Sequence, residues 1–304
     1  MLRYAVIGTG AIGGYYGGKL AKAGKDVHFL FHSDYEFVKE NGLKIDSIDG
    51  NFTLNPVSTY KNTSDMPVCD VVLVGLKSIN NGLLKKLLPP VLGEKTIVIL
   101  IQNGLGLEAE LQKKFPNLNI AGGLAFICSQ KVGKGHISHW DYGKLNLGNY
   151  SYSNPNLLEK VRADFVQAGV ETSILELHTA RWKKLVWNIP YNGLSVILNT
   201  ETNTMMAQPT SRKLIHDLML EVIHAANCCG CDINESFADE MLNMTENMKP
   251  YSPSMKLDYD AKHPLEIKAI YSNPILEAAK NGYSMHQVGV LEKQLQFIQS
   301  QYIE

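Results

Sequence analysis

Short apolar runs of strand length alternate with helical stretches from the N-terminus to about residue 175. The strand-like runs are continuous rather than alternating, and they cover residues 3–7, 26–31, 70–75, 96–101 and 120–127. Helices are predicted over residues 11–23 and 156–168 and near 79–88 and 105–114. Residues 136–148 alternate and predict an antiparallel strand or hairpin. Continuous apolar strands separated by helices are typical of a parallel sheet covered on both faces. The pattern therefore predicts a doubly wound α/β domain over residues 1–175.

The pattern changes near residues 172–178, where a final strand leads into a chain dominated by helical periodicity. Helices are predicted over residues 179–199, 209–229, 234–247, 264–281 and 285–302. Pro190 and Pro274 fall inside two of these and are expected to kink or interrupt them. Residues 176–304 therefore predict a second, all-α domain.

Composition narrows the choice of partner. Of 304 residues, 45% are hydrophobic and 19% are charged, which excludes a disordered chain. The 29 basic and 30 acidic residues give a net charge of −1, so we expect neither nucleic acid nor an anionic membrane as a partner. Apolar runs are too short for a membrane helix. A small-molecule partner is expected.

The chain has five cysteines, an odd number, and three of them lie close together in the sequence, at Cys228, Cys229 and Cys231. Reduced thiols in a cytoplasmic protein are the simplest interpretation. His224 and Cys228 have the i, i+4 spacing of metal ligands on a helix, whereas small buried cysteines are also common in a core. We favour the core and expect no metal.

A glycine motif follows the first strand at once and opens the first helix. In the run Gly8-Thr9-Gly10-Ala11-Ile12-Gly13, Gly8 would make the tight turn and Gly10 would let the backbone approach a pyrophosphate. Gly13 would allow close packing of helix on strand, and the N-terminus of the helix favours phosphate charge. This context predicts a Rossmann-type dinucleotide-binding domain.

The end of the second strand bears on the choice between NAD and NADP. An NAD site needs an acidic residue there to accept a hydrogen bond from the ribose 2′-hydroxyl. The strand instead ends in His32 and Ser33, which can donate to a 2′-phosphate, while Asp34 would repel one if it pointed inward. This favours NADP as the cofactor.

Polar residues recur on one face of the helix predicted over residues 179–199. Lys184, Asn188 and Asn192 are spaced i, i+4, i+8, and the residues between them are mostly apolar. Spacing alone leaves two interpretations open: a polar stripe exposed to solvent, or a lysine and two carboxamides that meet a polar substrate in a cleft.

The whole chain resembles the ketopantoate reductase family, in which a GxGxxG domain precedes a helical domain. The resemblance is carried by the glycine motif, Lys77 in Gly75-Leu76-Lys77-Ser78, Gln102-Asn103-Gly104, Lys184, Asn188, Asn192, Ser254 in Pro253-Ser254-Met255, and Glu266 in Leu265-Glu266-Ile267. It implies the NADPH-dependent reduction of a 2-oxo acid, ketopantoate, on the route to pantothenate and coenzyme A. It is also compatible with a homodimer.

The resemblance also implies roles. Lys184 would be the general acid, and Glu266 would orient the substrate or the lysine. Asn188 and Asn192 would hold the substrate, and Ser254 would meet its carboxylate. Lys77 and Asn103 would line the nicotinamide and ribose side of the site, and Asn103 would also bind the substrate.

The chain departs from the family pattern in that His32 stands where the family usually has arginine. A further family asparagine falls near Thr202 or Asn203 without a clear match. Two alternatives follow: a related reductase for another 2-oxo acid, or a regulator that senses NADP(H) without chemistry. The presence of both Lys184 and Glu266 argues against the regulator.

Overall fold

The computed structural model describes residues 1–152 and 155–303 and divides the chain into two units. The first unit comprises residues 1–102 and 107–177, and the second comprises residues 103–106 and 178–304. The short segment 103–106 therefore groups with the second unit, although the chain on both sides of it belongs to the first.

The first unit is a mixed sheet with helices. Its strands are β1 (Arg3–Ile7), β2 (Asp26–Leu30), β3 (Leu43–Ser47), β4 (Phe52–Leu54), β5 (Thr59–Tyr60), β6 (Cys69–Val74), β7 (Leu92–Leu100), β8 (Asn119–Gly133), β9 (His136–Asn149) and β10 (Thr172–Ile174). Its helices are α1 (Ala11–Lys22), α2 (Tyr35–Asn41), α3 (Leu84–Leu87), α4 (Leu107–Lys114) and α5 (Pro155–Gln167).

The strand order, within the described residues, is β4-β3-β9-β8-β7-β6-β1-β2-β5, with β10 beside β9. The strands β5, β2, β1, β6, β7 and β8 are parallel neighbours, while β9 runs antiparallel to β8. Adjacent β1 and β6 therefore both end at the same edge, where the glycine motif follows β1. The predicted Rossmann-type α/β fold is confirmed.

Local features differ from the prediction. The pattern gave no signal for α2, β3, β4 and β5, and of these β4 and β5 are three and two residues long, too short for a periodicity to appear. The helix expected near residues 79–88 is a 3₁₀ helix, Ser78–Leu83, followed by the single turn α3. Asn80, Asn81 and Gly82 have low helix propensity, which explains why an α-helix does not begin there.

The second unit is helical. Its helices are α6 (Leu177–Ile197), α7 (Thr202–Ala207), α8 (Pro209–Cys228), α9 (Ser236–Glu246), α10 (Ser254–Asp260), α11 (Asn273–Lys280) and α12 (His286–Ser300). A π-helical turn, Lys268–Ser272, leads directly into α11, with Pro274 in the first turn of that helix. The helix expected over residues 264–281 is thus interrupted, whereas α6 continues through Pro190.

Close packing holds α6 against its neighbours in the second unit. A Cβ at Gly193 would lie 2.6 Å from Leu291 of α12 and 2.8 Å from the hydroxyl of Tyr271. That hydroxyl donates to the carbonyl of Ile189 at 2.9 Å. Glu221 of α8 accepts the amides of Gln287 and Val288 at 3.0 and 2.8 Å, and so caps the first turn of α12. The contacts of Gly193 and Ile189 thus hold α6, the helix that carries Lys184, against its neighbours.

Candidate active site

The glycine motif forms the turn between β1 and α1. Gly8 has φ +93°, and a Cβ there would collide with the amide nitrogen of Leu76. A Cβ at Gly13 would collide with the carbonyl of Gly8. A Cβ at Gly10, in contrast, would meet no heavy atom within 4 Å. The packing of the unit thus requires Gly8 and Gly13, while Gly10 borders open space.

That space suits a pyrophosphate. Helix α1 begins at Ala11, directly after Gly10, and its first turn contains Ala11, Ile12 and Gly13 without an acidic side chain. The unpaired amides of a helix N-terminus favour an anion, and bare backbone at Gly10 permits its close approach. The loop therefore fits the dinucleotide that the sequence predicts.

The structure shows how the side chain of Asp34, which follows β2, is oriented. The carboxylate is buried, accepts the amide of Gly135 at 2.9 Å, and pairs with the ammonium of Lys131 at 2.7 Å. Burial acts to raise the pKa of Asp34, but hydrogen bonds from Lys131, Gly135 and Ser33 hold it below its ordinary value. The negative charge is thus matched within the unit, while His32 stays exposed.

Lys77 is exposed and directly follows the turn after β6. The turn is held by Gln102, whose carboxamide donates to the carbonyl of Leu76 at 2.7 Å. Gln102 also exchanges two hydrogen bonds with Asn81, at 2.7 and 3.1 Å. The sequence places Gln102 in a motif but gives no sign of this role, because no local pattern identifies a partner 21 residues away.

Asn103 lies in the segment that belongs to the second unit, whereas Lys77 lies in the first. The two residues expected to line the same side of the site are thus divided between the units. Asn103 itself is partly exposed.

The stripe on α6 is buried rather than exposed to solvent. Lys184, Asn188 and Asn192 are 8%, 5% and 1% exposed, which removes the interpretation as a solvated face. Arg181 precedes Lys184 by one turn and is 3% exposed, and Ser195 extends the stripe at its other end. The Nδ2 atom of Asn188 is buried without a hydrogen-bond partner among the described residues. A buried, unsatisfied donor is costly, and a polar ligand would satisfy it.

Burial sets the charge state of Lys184. Desolvation lowers the pKa of its ammonium, the nearby Arg181 lowers it further, and the carboxylate of Glu266 raises it, with a net value of about 7. A lysine with a pKa near neutrality can both give and take a proton at physiological pH. Arg181 is not among the residues that the sequence predicts for the site, since a basic residue on a helix carries no signal of burial.

Glu266 and Ser254 lie outside α6. Glu266 is buried and directly precedes the turn that leads into the π-helix, where its carbonyl accepts the amide of Ile270 at 3.1 Å. Ser254 is half-buried and begins α10. The backbone amide and the side-chain hydroxyl of Thr202 each donate a hydrogen bond of 3.2 Å to the carbonyl of Tyr251. These two hydrogen bonds hold the segment before Ser254 against α7. Thr202 is thus a buried structural contact in this fold.

The cysteine cluster has a different character. His224 pairs with Glu235 at 2.6 Å, and the three cysteines of the cluster are not joined in disulfides. Cys231 is buried, Cys229 is half-buried and Cys228 is exposed. Among the described residues, no three side chains of the ligating types come together closely enough to hold a metal ion.

The fold and this site define a class of two-domain protein, with a Rossmann unit followed by a helical unit that carries a buried lysine. The family described as "Ketopantoate reductase PanE/ApbA" matches residues 4–152, and its C-terminal counterpart matches residues 176–299. The chain belongs to the ketopantoate reductase family.

Individual relatives cover nearly the whole chain. A 2-dehydropantoate 2-reductase of Nostoc sp. is 49% identical over 97% of this chain and 95% of its own length. The crystal structure of 2-dehydropantoate 2-reductase from Geobacter metallireducens has a TM-score of 0.94 at 41% identity, covering 97% of this chain and 99% of that one. The enzyme of the same name from Methylococcus capsulatus has a TM-score of 0.88 at 30% identity, covering 100% and 98%.

Within the described residues, no helix is both long and apolar enough to cross a lipid bilayer.

Proposed function

We propose that this protein reduces 2-dehydropantoate (ketopantoate) to pantoate, a step in pantothenate and coenzyme A synthesis, with NADPH as the reductant. The observation that carries the proposal is the buried Lys184, with a pKa of about 7 beside Arg181 and Glu266, in a member of this family. The similarity to the Nostoc enzyme, at 49% identity, supports ketopantoate as the substrate.

The reaction needs one hydride and one proton. A reduced nicotinamide, when bound, supplies the hydride to the carbonyl carbon of the 2-oxo acid. As the new C–H bond forms, the electron pair of the carbonyl moves onto its oxygen, and an ammonium aimed at that oxygen stabilises the developing charge. Lys184 then gives its proton to the oxygen, which completes the hydroxyl group.

The other residues of the second unit hold the substrate and tune the lysine. The carboxylate of Glu266 favours the charged form of Lys184 and so keeps a proton available for transfer. Asn188 and Asn192 offer amide donors to the substrate, and the unsatisfied Nδ2 of Asn188 supports this role. Ser254 offers a hydroxyl to the carboxylate of the substrate.

The cofactor is a nicotinamide dinucleotide, and we infer NADPH in particular. The glycine loop, with Gly8, Gly10, Ala11, Ile12 and Gly13, would hold the pyrophosphate. His32 would contact the 2′-phosphate, and the pairing of Asp34 with Lys131 supports this because it neutralises the nearest acidic group of the strand tip. Lys77 and Asn103 would contribute on the nicotinamide and ribose side.

The substrate assignment is tested by the oxidation of NADPH with a panel of 2-oxo acids. The decisive comparison is kcat/KM for ketopantoate beside 2-oxoisovalerate, which lacks the terminal hydroxyl. A site built to bond a hydroxyl can reject the analogue without it by as much as about 10⁴-fold, since a buried polar group is left unpaired. Comparable values would favour a related reductase for another 2-oxo acid, and no turnover with any member of the panel would favour a regulator.

We infer that the enzyme is cytoplasmic, in keeping with five cysteines that form no disulfide. A homodimer belongs to the same proposal, and the molar mass in solution tests it.

A further inference from the structure

The segment Asn103–Gly106 is fixed to the second unit at three points, although it is continuous with β7 and α4 of the first. The first point is the side chain of Leu105, which is 7% exposed and belongs to the apolar core of the second unit. Gly104 and Gly106 flank it with φ +109° and +80°. A Cβ at Gly104 would lie 2.5 Å from the carbonyl oxygen of Ala269, so this close approach requires glycine.

The second point is a backbone hydrogen bond, in which the amide of Leu105 donates to the carbonyl of Ala269 at 2.9 Å. Ala269 lies in the π-helical turn. In a π-helix each carbonyl accepts a hydrogen bond from the N–H of the residue five positions later in the chain, which for Ala269 is Pro274. Since proline has no N–H, it offers this carbonyl no hydrogen bond along the helix. The amide of Leu105 takes the place of that missing donor.

The third point is a side chain. The Nδ2 of Asn273 donates to the carbonyl of Leu105 at 2.7 Å. Leu105 therefore has both of its backbone polar groups bonded to the stretch from Ala269 to Asn273. This stretch begins three residues after Glu266. It is also linked to Glu266 by a hydrogen bond, which the amide of Ile270 donates to the carbonyl of Glu266.

We propose that Asn273 is a positioning residue, which clamps Leu105 and thereby fixes Asn103 in the unit that carries Lys184 and Glu266. The kinetic part of this proposal rests on the proposed function, in which Asn103 takes part in the site. Asn273 has no contact with the reacting atoms in this assignment and acts through Asn103 alone.

The test is a double-mutant cycle with Asn273→Asp, which keeps the shape of the side chain but replaces its donor with a carboxylate facing the Leu105 carbonyl. We expect kcat/KM for ketopantoate to fall about tenfold, the usual effect of losing one buried hydrogen bond. In Asn103→Ala, the further change Asn273→Asp should cost less than about twofold, because the residue that it positions is gone. Full, additive losses in the double variant would overturn the proposal.

Asn281→Asp is the matched control. Asn281 lies at the end of the same helix, and its side-chain Nδ2 donates to the carbonyl of Glu277 at 2.9 Å, away from Leu105. We expect this variant to stay within about twofold of the unmodified protein. A loss equal to that of Asn273→Asp would show a general effect of charge in this helix and would overturn the proposal.

Hydrogen exchange at the Leu105 amide gives a readout that needs no turnover. Asn273→Asp should speed this exchange about tenfold or more, whereas Asn281→Asp should leave it unchanged. Pro274→Ala is a second variant that loosens the clamp, because it supplies an N–H that competes for the Ala269 carbonyl. Unchanged exchange in both clamp variants would overturn the clamp even where ketopantoate is reduced. If the protein does not reduce ketopantoate but Asn273→Asp still speeds the exchange, the substrate assignment is wrong and the clamp is supported.

Discussion

The glycine loop of the first unit and the polar stripe of the second achieve specificity by opposite means. In the loop, function follows from atoms that are missing: Gly8 and Gly13 leave no room for a side chain, and Gly10 keeps the backbone bare beside open space. In the stripe, function follows from charges kept out of water, with Lys184 8% exposed and Arg181 3% exposed. The loop depends on backbone geometry that tolerates almost no substitution, whereas the stripe depends on electrostatics that neighbouring groups can adjust in small steps.

The strongest test of the stripe is Lys184→Ala. We expect kcat to fall by about two to four orders of magnitude, the usual effect of removing a positioned acid, while the Kd of NADPH barely changes. Lys183→Ala is the control, since Lys183 is exposed and its ammonium lies 5.2 Å over the ring of Phe237. If Lys183→Ala were the damaging change, the assignment of the helical face would be wrong.

The pH dependence tests the electrostatics of the same residue. Reduction requires the ammonium form of Lys184, so with a pKa of about 7 the rate should be constant below neutrality and fall above it. The fall should approach tenfold per pH unit, or about 100-fold from the low-pH plateau to pH 9, and the reverse oxidation should rise over the same range. The measurement is kcat against pH in both directions.

The pH above which the rate of reduction falls is the break of this profile. Two substitutions should move the break in opposite directions. Arg181→Gln removes a charge that lowers the pKa of Lys184, so the break should shift to higher pH. Glu266→Gln removes a charge that raises the pKa, so the break should shift to lower pH. A break that stays in place in both variants would mean that another group titrates.

The loop is tested by Gly10→Ala beside Gly8→Ala. Gly10 has φ −90° and no neighbour for a Cβ, so Gly10→Ala should keep its Tm yet weaken NADPH binding by about tenfold or more. Gly8→Ala should lower the Tm itself, because φ is +93° and the Leu76 amide blocks the Cβ. Equal dinucleotide affinity in Gly10→Ala and the unmodified protein would contradict the placement of the pyrophosphate.

The smallest expected effect concerns His32. A charge-assisted bond to a 2′-phosphate contributes about 1.5–3 kcal/mol, so NADPH should bind about tenfold or more tightly than NADH. His32→Ala should narrow that difference and leave the Kd of NADH unchanged. Equal binding of the two cofactors by the unmodified protein would remove the assignment to NADP.

A feature of this protein could be predicted from the sequence when its residues are contiguous in the chain. The loop was readable because its three glycines, its strand and its helix are contiguous in the chain. The family is confirmed, and so is the fold class. The roles of Gln102, Arg181 and Asn273 depend instead on partners or burial that appear only when the chain is folded. The π-helical turn is of the same kind: Pro274 signals an interruption, but not that the amide of Leu105 will take the place of the missing donor.

The cysteines carry a consequence for chemical labelling. Burial raises the pKa of the thiols of Cys69 and Cys128 to about 12 and that of Cys229 to about 11, so at neutral pH very little of each is the reactive thiolate. Cys231 is buried as well, which leaves Cys228, at the end of α8, as the exposed thiol among the five. A maleimide dye added at neutral pH should therefore attach at this one place, giving a fluorescent reporter on the helical unit without any engineered cysteine.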